Sequence, residues 1–541
     1  MNRRQPMRPL WPVLGASLWM ATISNAALWT QLNERQVLQG AAGWGLALAL
    51  SLMIAASLTA LVSLLAWRWT LKPVLILLLV ASAVGAHFML AYRIVIDSGM
   101  IVNVLQTDTR EASALLNWRM LGTVTLLGLL PAVVVWRASI HHRAWPGQAV
   151  RNLGVTAASL ALIVALGLLS FQPLSSTMRN HKPLRYLINP LNTLYALGHA
   201  ASKPLRRQSG PAAALGTDAR AAAAGARPPL LVLVLGETGR SGNFGLNGYE
   251  RPTTPELERE AVASARNVTA CGTSTATAVP CMFSHLGRTG YEGRKQDFES
   301  LVDVLQHAGL AVLWIDNQAG CKGVCDRIPN VSTTSLKDPQ LCRNGECLDE
   351  IMLKDLDQRI KALPADRVKR GVVLVMHQMG SHGPAYHLRS PPAYKRFLPE
   401  CTSDNLQDCS RAELVNAYDN TIAYTDHFLA STVGWLKARQ DRFDTAMLYV
   451  ADHGESLGEN NLYLHGMPFS IAPDVQKQVP WITWLSPGFE QRGGVRIECV
   501  RGRRDVPLTH DNYFHSVLGL MQVSTSVYDR GLDAYAACGP N

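Results

Sequence analysis

The chain has 541 residues, of which 48% are hydrophobic and 17% charged, with a formal net charge of +10. It is too long for one ordinary domain, and a composition this rich in apolar and poor in charged residues excludes a disordered chain and suggests more than a simple soluble enzyme. A membrane part joined to a soluble part meets both constraints.

Five apolar windows, roughly 11–31, 44–66, 73–93, 118–137 and 153–171, are each long enough to cross a bilayer as a helix. Any one of them alone could be a buried core helix. Five in succession with basic flanks predict a five-helix transmembrane domain over residues 1–172. No small-residue cleavage site follows the first window, so a signal peptide fits poorly. Arg3, Arg4 and Arg8 precede the first span, Arg68 and Lys72 follow the second, and Arg137, Arg143 and Arg151 follow the fourth. Because short cytoplasmic loops carry the excess of Lys and Arg, the N-terminus is expected inside and everything after residue 172 outside.

After the third span, "VNVLQTDTREA" places Asn103, Thr107 and Glu111 four residues apart, on one face of a helix. Glu111 could pair with an ammonium group; a solvated polar face is the alternative. Residues 173–229 read as an interfacial segment and linker. "RYLINPLNTLYALGHAASKPLRR" is apolar with basic ends, which suits an amphipathic helix at a membrane surface or a plain connection. "QSGPAAALGTDARAAAAGARPP" has the composition of a flexible tether.

A soluble catalytic domain is expected over 230–541. Apolar runs of strand length recur at 230–237, 311–317, 372–383, 445–455 and 479–486, separated by helix-like segments such as "FESLVDVLQHAG". Buried strands alternating with helices imply a mainly parallel sheet covered on both faces. Glu237, Asp316, His377, His382, Asp452 and His453 fall at or just after the C-terminal ends of these runs, the edge where open α/β sheets bind ligands.

All ten cysteines lie between Cys271 and Cys538, as expected for disulfides in an oxidising compartment. Close spacings suggest Cys271 with Cys281, Cys321 with Cys325, Cys342 with Cys347 and Cys401 with Cys409, leaving Cys499 for Cys538. A zinc site built from Cys321, Cys325, Cys342 and Cys347 is the rival reading. An exported domain makes nucleic acid an unsuitable partner for the positive charge; anionic membrane surfaces and phosphorylated lipids suit it.

In "VADHGES" a hydrophobic strand runs into Asp452 and His453, and Glu237 ends the first strand. Together they offer three ligands to zinc, with a fourth position left for a reacting group. Taken singly, the Asp-His pair or Glu237 could be structural or helix-capping. His382 in "MGSHGP" and His465 in "LYLHGMP" sit in Gly- and Pro-bearing loops, where they could bind a second metal, contact a phosphate or protonate a leaving group, or have no function.

Taken together, "LGETGRSGNFGLNGYERPTTPEL", "CGTSTATAVPCMFS", "DNQAGCKGVCDR", "HQMGSHGPAYHLR" and "ADHGESLGENNLYLHGMP" resemble the lipid A phosphoethanolamine transferases, which include the mobile colistin-resistance enzymes. The resemblance implies a soluble α/β/α sandwich of the alkaline phosphatase/sulfatase type. It assigns Glu237, Thr275, Asp452 and His453 to a tightly bound zinc, with Thr275 as nucleophile. His382 and His465 match a phosphate-facing pair able to recruit a second zinc. Lys322 would contact the substrate phosphate, and Asn103, Thr107 and Glu111 the donor head group.

The same resemblance implies a monomer in the bacterial inner membrane, its catalytic domain periplasmic. Phosphatidylethanolamine would be the donor, a lipid A phosphate the acceptor and polymyxin resistance the consequence. Gly239 departs from the family at a position where larger residues are frequent. Alternatives are a phosphoethanolamine or phosphoglycerol transferase acting on lipopolysaccharide core or periplasmic glucan, and a non-catalytic membrane sensor. A sulfatase fits less well, because the nucleophile position lacks the cysteine pattern those enzymes convert to formylglycine.

Overall fold

The computed structural model describes residues 6–106, 115–205, 210–223, 225–333, 336, 338–343 and 346–539. It divides into two compact units, Met1–Ile101 with Leu115–Ala201 and Val102–Ala114 with Ser202–Asn541. Thr107 and Glu111, expected beside Asn103 on one helical face, lie outside the described residues.

Among the described residues of the first unit four helices are long and apolar enough to cross a membrane: Gly40–Leu64, Leu71–Ala91, Trp118–Arg137 and Trp145–Leu169. They correspond to the second to fifth expected windows. The first window is helical but broken, running as Leu10–Thr22, a tight turn at Ile23–Asn25, and Ala26–Glu34. Buried Asn25 is the cause. Its amide donates to the carbonyls of Met20 at 2.7 Å and Asn189 at 2.5 Å, and its oxygen accepts from the Asn189 N–H at 2.9 Å. In an apolar environment each such unpaired group would cost several kcal/mol, so the break and its partners come as a set. The same logic applies to Pro131, which has no N–H for the Leu127 carbonyl one turn back; the Trp19 indole donates to that oxygen instead, at 3.0 Å.

The second unit is built on a seven-stranded sheet. In chain order its strands are β1 Pro229–Gly236, β2 Ala263–Ala265, β3 Ala311–Asp316, β4 Asn330–Ser332, β5 Val372–His377, β6 Asp444–Ala451 and β7 Trp481–Leu485. Across the sheet they are ordered β2-β7-β6-β1-β5-β3-β4. The β6, β1, β5, β3 and β4 strands are mutually parallel; β7 runs antiparallel to β6, and β2, paired antiparallel with β7, again points with the other five. Every residue of β1, β3, β5, β6 and β7 is buried, which explains their unbroken apolar sequences. The short edge strands β2 and β4 carry no such run. A long helix, α1 (Arg411–Lys437), packs on the sheet and opens with a capping box in which Ser410 and Glu413 each bond the other's backbone N–H.

The Ala-rich stretch expected to be a tether is held by the second unit. Ala213 exchanges backbone hydrogen bonds with Asp297 and Glu299, Leu215 and Ala219 are buried, and Arg220–Ala221 pairs with Val523–Ser524. Small side chains let the backbone lie close to the surface it crosses. All ten cysteines pair, as Cys271–Cys281, Cys321–Cys325, Cys342–Cys347, Cys401–Cys409 and Cys499–Cys538. This removes the rival four-cysteine zinc site, since a disulfide has no thiolate to offer a metal.

Replacing Asn25 by Ala strips a buried N–H and two carbonyls of their partner. It should destabilise the full-length protein by roughly 1–3 kcal/mol, read as a lower unfolding midpoint in detergent. An unchanged midpoint would contradict the role given to this amide.

Candidate active site at the carboxyl edge of the sheet

Parallel pairing aligns the strand ends. Gly236 of β1 is opposite Ala451 of β6, Leu235 is opposite His377, and His377 is opposite Asp316. The residues that follow, Glu237 after β1 and Asp452 and His453 after β6, therefore emerge side by side, and all three are buried. The Asp452 N–H donates to the Gly236 carbonyl at 2.9 Å, extending the β1–β6 ladder by one step.

Their donor atoms converge. His453 Nδ1 lies 2.9 Å from the Gly454 carbonyl, which can only accept, so Nδ1 carries the proton and Nε2 presents a lone pair. That nitrogen is 3.3 Å from Asp452 Oδ2 and 3.5 Å from Glu237 Oε1. Thr275 Oγ1 approaches Glu237 Oε2 at 3.1 Å and His453 Nε2 at 3.4 Å. Asp452 Oδ1 accepts from the N–H groups of Thr238 and His453, whereas Asp452 Oδ2 is buried with no hydrogen-bond partner among the described residues. Two carboxylates, an imidazole lone pair and a hydroxyl thus face one point with no positive charge among them.

The electrostatics follow from that crowding. Burial and the neighbouring Asp452 raise the pKa of Glu237, burial pushes Asp452 up to about 6, and burial lowers His453 to about 4. Each shift disfavours charge, the signature of a site that needs a cation. Four ligands about 2.0–2.1 Å from a tetrahedral zinc are about 3.3 Å apart; the contacts here run from 3.1 to 3.5 Å. The donor set fits a zinc ion.

Glycines make this packing possible. A Cβ on Gly454 would collide with the Val475 carbonyl, so no other residue fits between His453 and Glu455. Gly380, at φ +51°, presses on Glu237, and a Cβ there would come within 2.7 Å of the Glu237 carbonyl. At Gly239, the departure from the family pattern, a Cβ would lie 2.7 Å from that of Ala451, so the small residue goes with close packing behind Glu237.

Thr275 is the first residue of helix α2 (Thr275–Met282), inside the Cys271–Cys281 ring. Ser274 occupies the N-cap position without a side-chain cap bond, and Thr273 donates to the Met467 carbonyl at 2.6 Å. His465 and His382 continue the cluster: ring centroids are 4.3 Å apart for His453–His465 and 5.6 Å for His382–His465. His465 Nδ1 faces Glu455 Oε1 at 3.3 Å, and Glu455, raised to about 8 by burial, accepts from the Tyr386 hydroxyl. Burial holds His382 and His465 below the usual imidazole range, with the charge of Lys322 among the lesser influences on His382. Lys322 Nζ donates to the Ala319 carbonyl at 3.1 Å and reaches the Gln106 carbonyl at 3.5 Å. Asn103 lies on the same Ser98–Gln106 helix as Gln106.

Several residues of this region carry no motif that would reveal them. The buried Asp349 carboxylate accepts from the Asn317 and Gln378 amides and the Met379 and Gly380 N–H groups, holding the loop that leads to His382. His377 pairs through Nδ1 with Asp316 at 3.0 Å. Both residues were visible as strand-end groups, but neither spacing nor composition disclosed their pairing.

Comparison with known proteins agrees with this geometry. Residues 229–523 match the sulfatase family and residues 21–205 the family described as phosphoethanolamine transferase EptA/EptB. The chain is 36% identical to phosphoethanolamine transferase EptA of Escherichia coli K12, over 97% of this chain and 96% of that protein. It is also 36% identical to the Escherichia coli phosphatidylethanolamine transferase Mcr-1, over 97% of each. The solved integral membrane lipooligosaccharide phosphoethanolamine transferase A of Neisseria meningitidis superposes with a TM-score of 0.93 at 35% identity, covering 98% of this chain and 99% of that one. Matched from its membrane helices to its sulfatase-type α/β unit, the chain belongs to the EptA-type phosphoethanolamine transferases of the alkaline phosphatase/sulfatase superfamily.

Proposed function

We propose that the protein transfers phosphoethanolamine from phosphatidylethanolamine to a lipid A phosphate by double displacement through Thr275. The observation that carries this reading is the Thr275 hydroxyl, held within 3.1–3.4 Å of Glu237 and His453 at the start of a helix. The names of Mcr-1 and of the Neisseria enzyme supply the donor and the class of acceptor for those relatives.

Glu237, Asp452, His453 and Thr275 would hold one zinc ion, and His382 with His465 a second. Zinc, when bound, supplies Lewis acidity that lowers the pKa of a coordinated hydroxyl and offsets charge on phosphoryl oxygens. Thr275 Oγ loses its proton and attacks the donor phosphorus; the Oγ–P bond forms, the bond to the diacylglycerol oxygen breaks, and the proton lost from Thr275 makes up for the one that the departing oxygen gains. When no second zinc is on them, the charge of the phosphodiester opposes the effect of burial on His382 and His465, and either ring can pass a proton to the departing oxygen. Lys322 stabilises the charge on the phosphoryl oxygens. A lipid A phosphate oxygen then attacks the same phosphorus and the Thr275 Oγ–P bond breaks. Asn103, Thr107 and Glu111 hold the ethanolamine end, with Glu111 opposite its ammonium.

Donor and acceptor are both membrane lipids, so a tethered enzyme meets them on one surface at high effective concentration. The reading places five spans in the bacterial inner membrane, counting the broken Leu10–Glu34 segment as one, with a cytoplasmic N-terminus and a monomeric enzyme. Domain limits are taken as 1–172, 173–229 and 230–541. The five disulfides of the second unit support an oxidising periplasm. Adding a cationic group to lipid A lowers surface negative charge and would confer polymyxin resistance.

Expression in a bacterium with unmodified lipid A should yield lipid A carrying added phosphoethanolamine by mass spectrometry; unmodified lipid A alongside a folded enzyme would overturn the acceptor. Thr275→Ala should lower transfer by about 10³-fold or more without loss of folded protein, and wild-type turnover would exclude the nucleophile. Chelation should abolish activity and added zinc restore it. Insensitivity to chelators would argue against a metal held by Glu237, Asp452 and His453.

A further inference from the structure

His510 lies far in sequence from every candidate catalytic or zinc-holding residue, yet it is 1% exposed and touches two of the elements that form the site. Its Nδ1 accepts a hydrogen bond from the Cys271 N–H at 3.1 Å, and its Nε2 donates to the Ala451 carbonyl at 3.0 Å. Cys271 opens the disulfide ring that contains Thr275; Ala451 is the last residue of β6, immediately before Asp452 and His453. One imidazole therefore spans the gap between the segment bearing the hydroxyl and the strand bearing two of the residues it must face.

The other ties of the hydroxyl segment run elsewhere. The Ala270 N–H goes to the Lys477 carbonyl at 2.8 Å, the Thr273 hydroxyl to the Met467 carbonyl, and the Thr273 carbonyl accepts from the Gly466 N–H at 2.7 Å. All of these hold the segment to the chain after His465. The His510 bridge joins it to β6 directly. The ring is itself anchored, because the His510 N–H donates to the Thr269 carbonyl at 3.0 Å and the next residue starts helix α3 (Asp511–Leu520), whose Tyr513, Phe514, Val517 and Leu518 are buried.

We propose that His510 is a positioning residue of the transfer reaction, setting the distance from Thr275 to Asp452 and His453 by bridging Cys271 and Ala451. The inference rests on the reading of Thr275 as nucleophile. An N–H on one side and a carbonyl on the other demand one acceptor and one donor from the same ring, which only the neutral Nε2–H tautomer supplies. Burial, which lowers the pKa of His510 to about 3, keeps the ring in that neutral form. Asn and Gln side-chain amides also carry an acceptor and a donor; Leu carries neither.

The test compares His510→Leu and His510→Gln with Thr275→Ala in the full-length protein, using phosphatidylethanolamine vesicles as donor. Four quantities are read: the rate of adduct formation on the enzyme by intact mass, kcat against KM, zinc per chain, and the melting midpoint. His510→Leu should slow adduct formation and kcat by about 10–100-fold, the usual effect of removing a group that orients site residues, with KM and zinc content close to wild type. His510→Gln should recover most of that loss.

Wild-type kcat in a folded His510→Leu overturns the inference. So does an equal loss in both variants that tracks a lower melting midpoint, because that is a general structural effect. Adduct and turnover persisting in Thr275→Ala would instead overturn the underlying reading, so the two failures are told apart.

Discussion

Glu237 and Asp452 are two buried carboxylates set side by side by the pairing of β1 with β6, and most of the soluble unit serves to keep them there. The register that places Gly236 opposite Ala451 brings the two residues that follow out side by side. Two like charges in a dry environment repel and raise each other's pKa, so the arrangement is sustainable only with compensating groups. Thr238 supplies part of the compensation, donating its N–H to Asp452 and its hydroxyl to Glu237. Its left-handed φ of +58° turns the backbone so that both bonds form at once. A divalent cation would supply the rest, and the orphaned Asp452 Oδ2 and the His453 lone pair are where its bonds would go.

The segments that close over this pair are short of regular structure and rich in covalent and polar ties. The Cys271–Cys281 ring limits how far Thr275 can wander, while Asp349 gathers four donors to fix the loop before His382. Such loops cannot draw stability from a ladder of backbone bonds, so side chains from distant parts of the chain take over that work. The result is a rigid scaffold of strands whose mouth is shaped by loops, an arrangement suited to holding reacting groups within a few tenths of an ångström.

The membrane unit obeys the same rule of polar satisfaction in a harsher solvent. The amides of Asn25 and Asn189 and the Trp19 indole each donate to a carbonyl of a neighbouring helix or turn. A hydropathy profile counts apolar residues and is blind to these pairs. It therefore located the first window while passing over its interruption at Ile23–Asn25.

Much was determined by sequence alone. The five buried strands announced themselves as apolar runs because a strand covered on both faces has no polar positions to break the pattern. Strand-end placement picked out Glu237, Asp452 and His453, spacing suggested the disulfide pairs, and family resemblance singled out Thr275. Tertiary structure alone decided which nitrogen of His453 is free and how tightly Gly239 and Gly454 pack. It also brought in Asp349 and His510, whose partners lie 29 to 32 and 59 or 239 residues away. A local pattern encodes periodicity and burial. A hydrogen bond between distant segments leaves no such trace, because its geometry exists only once the sheet has brought both ends together.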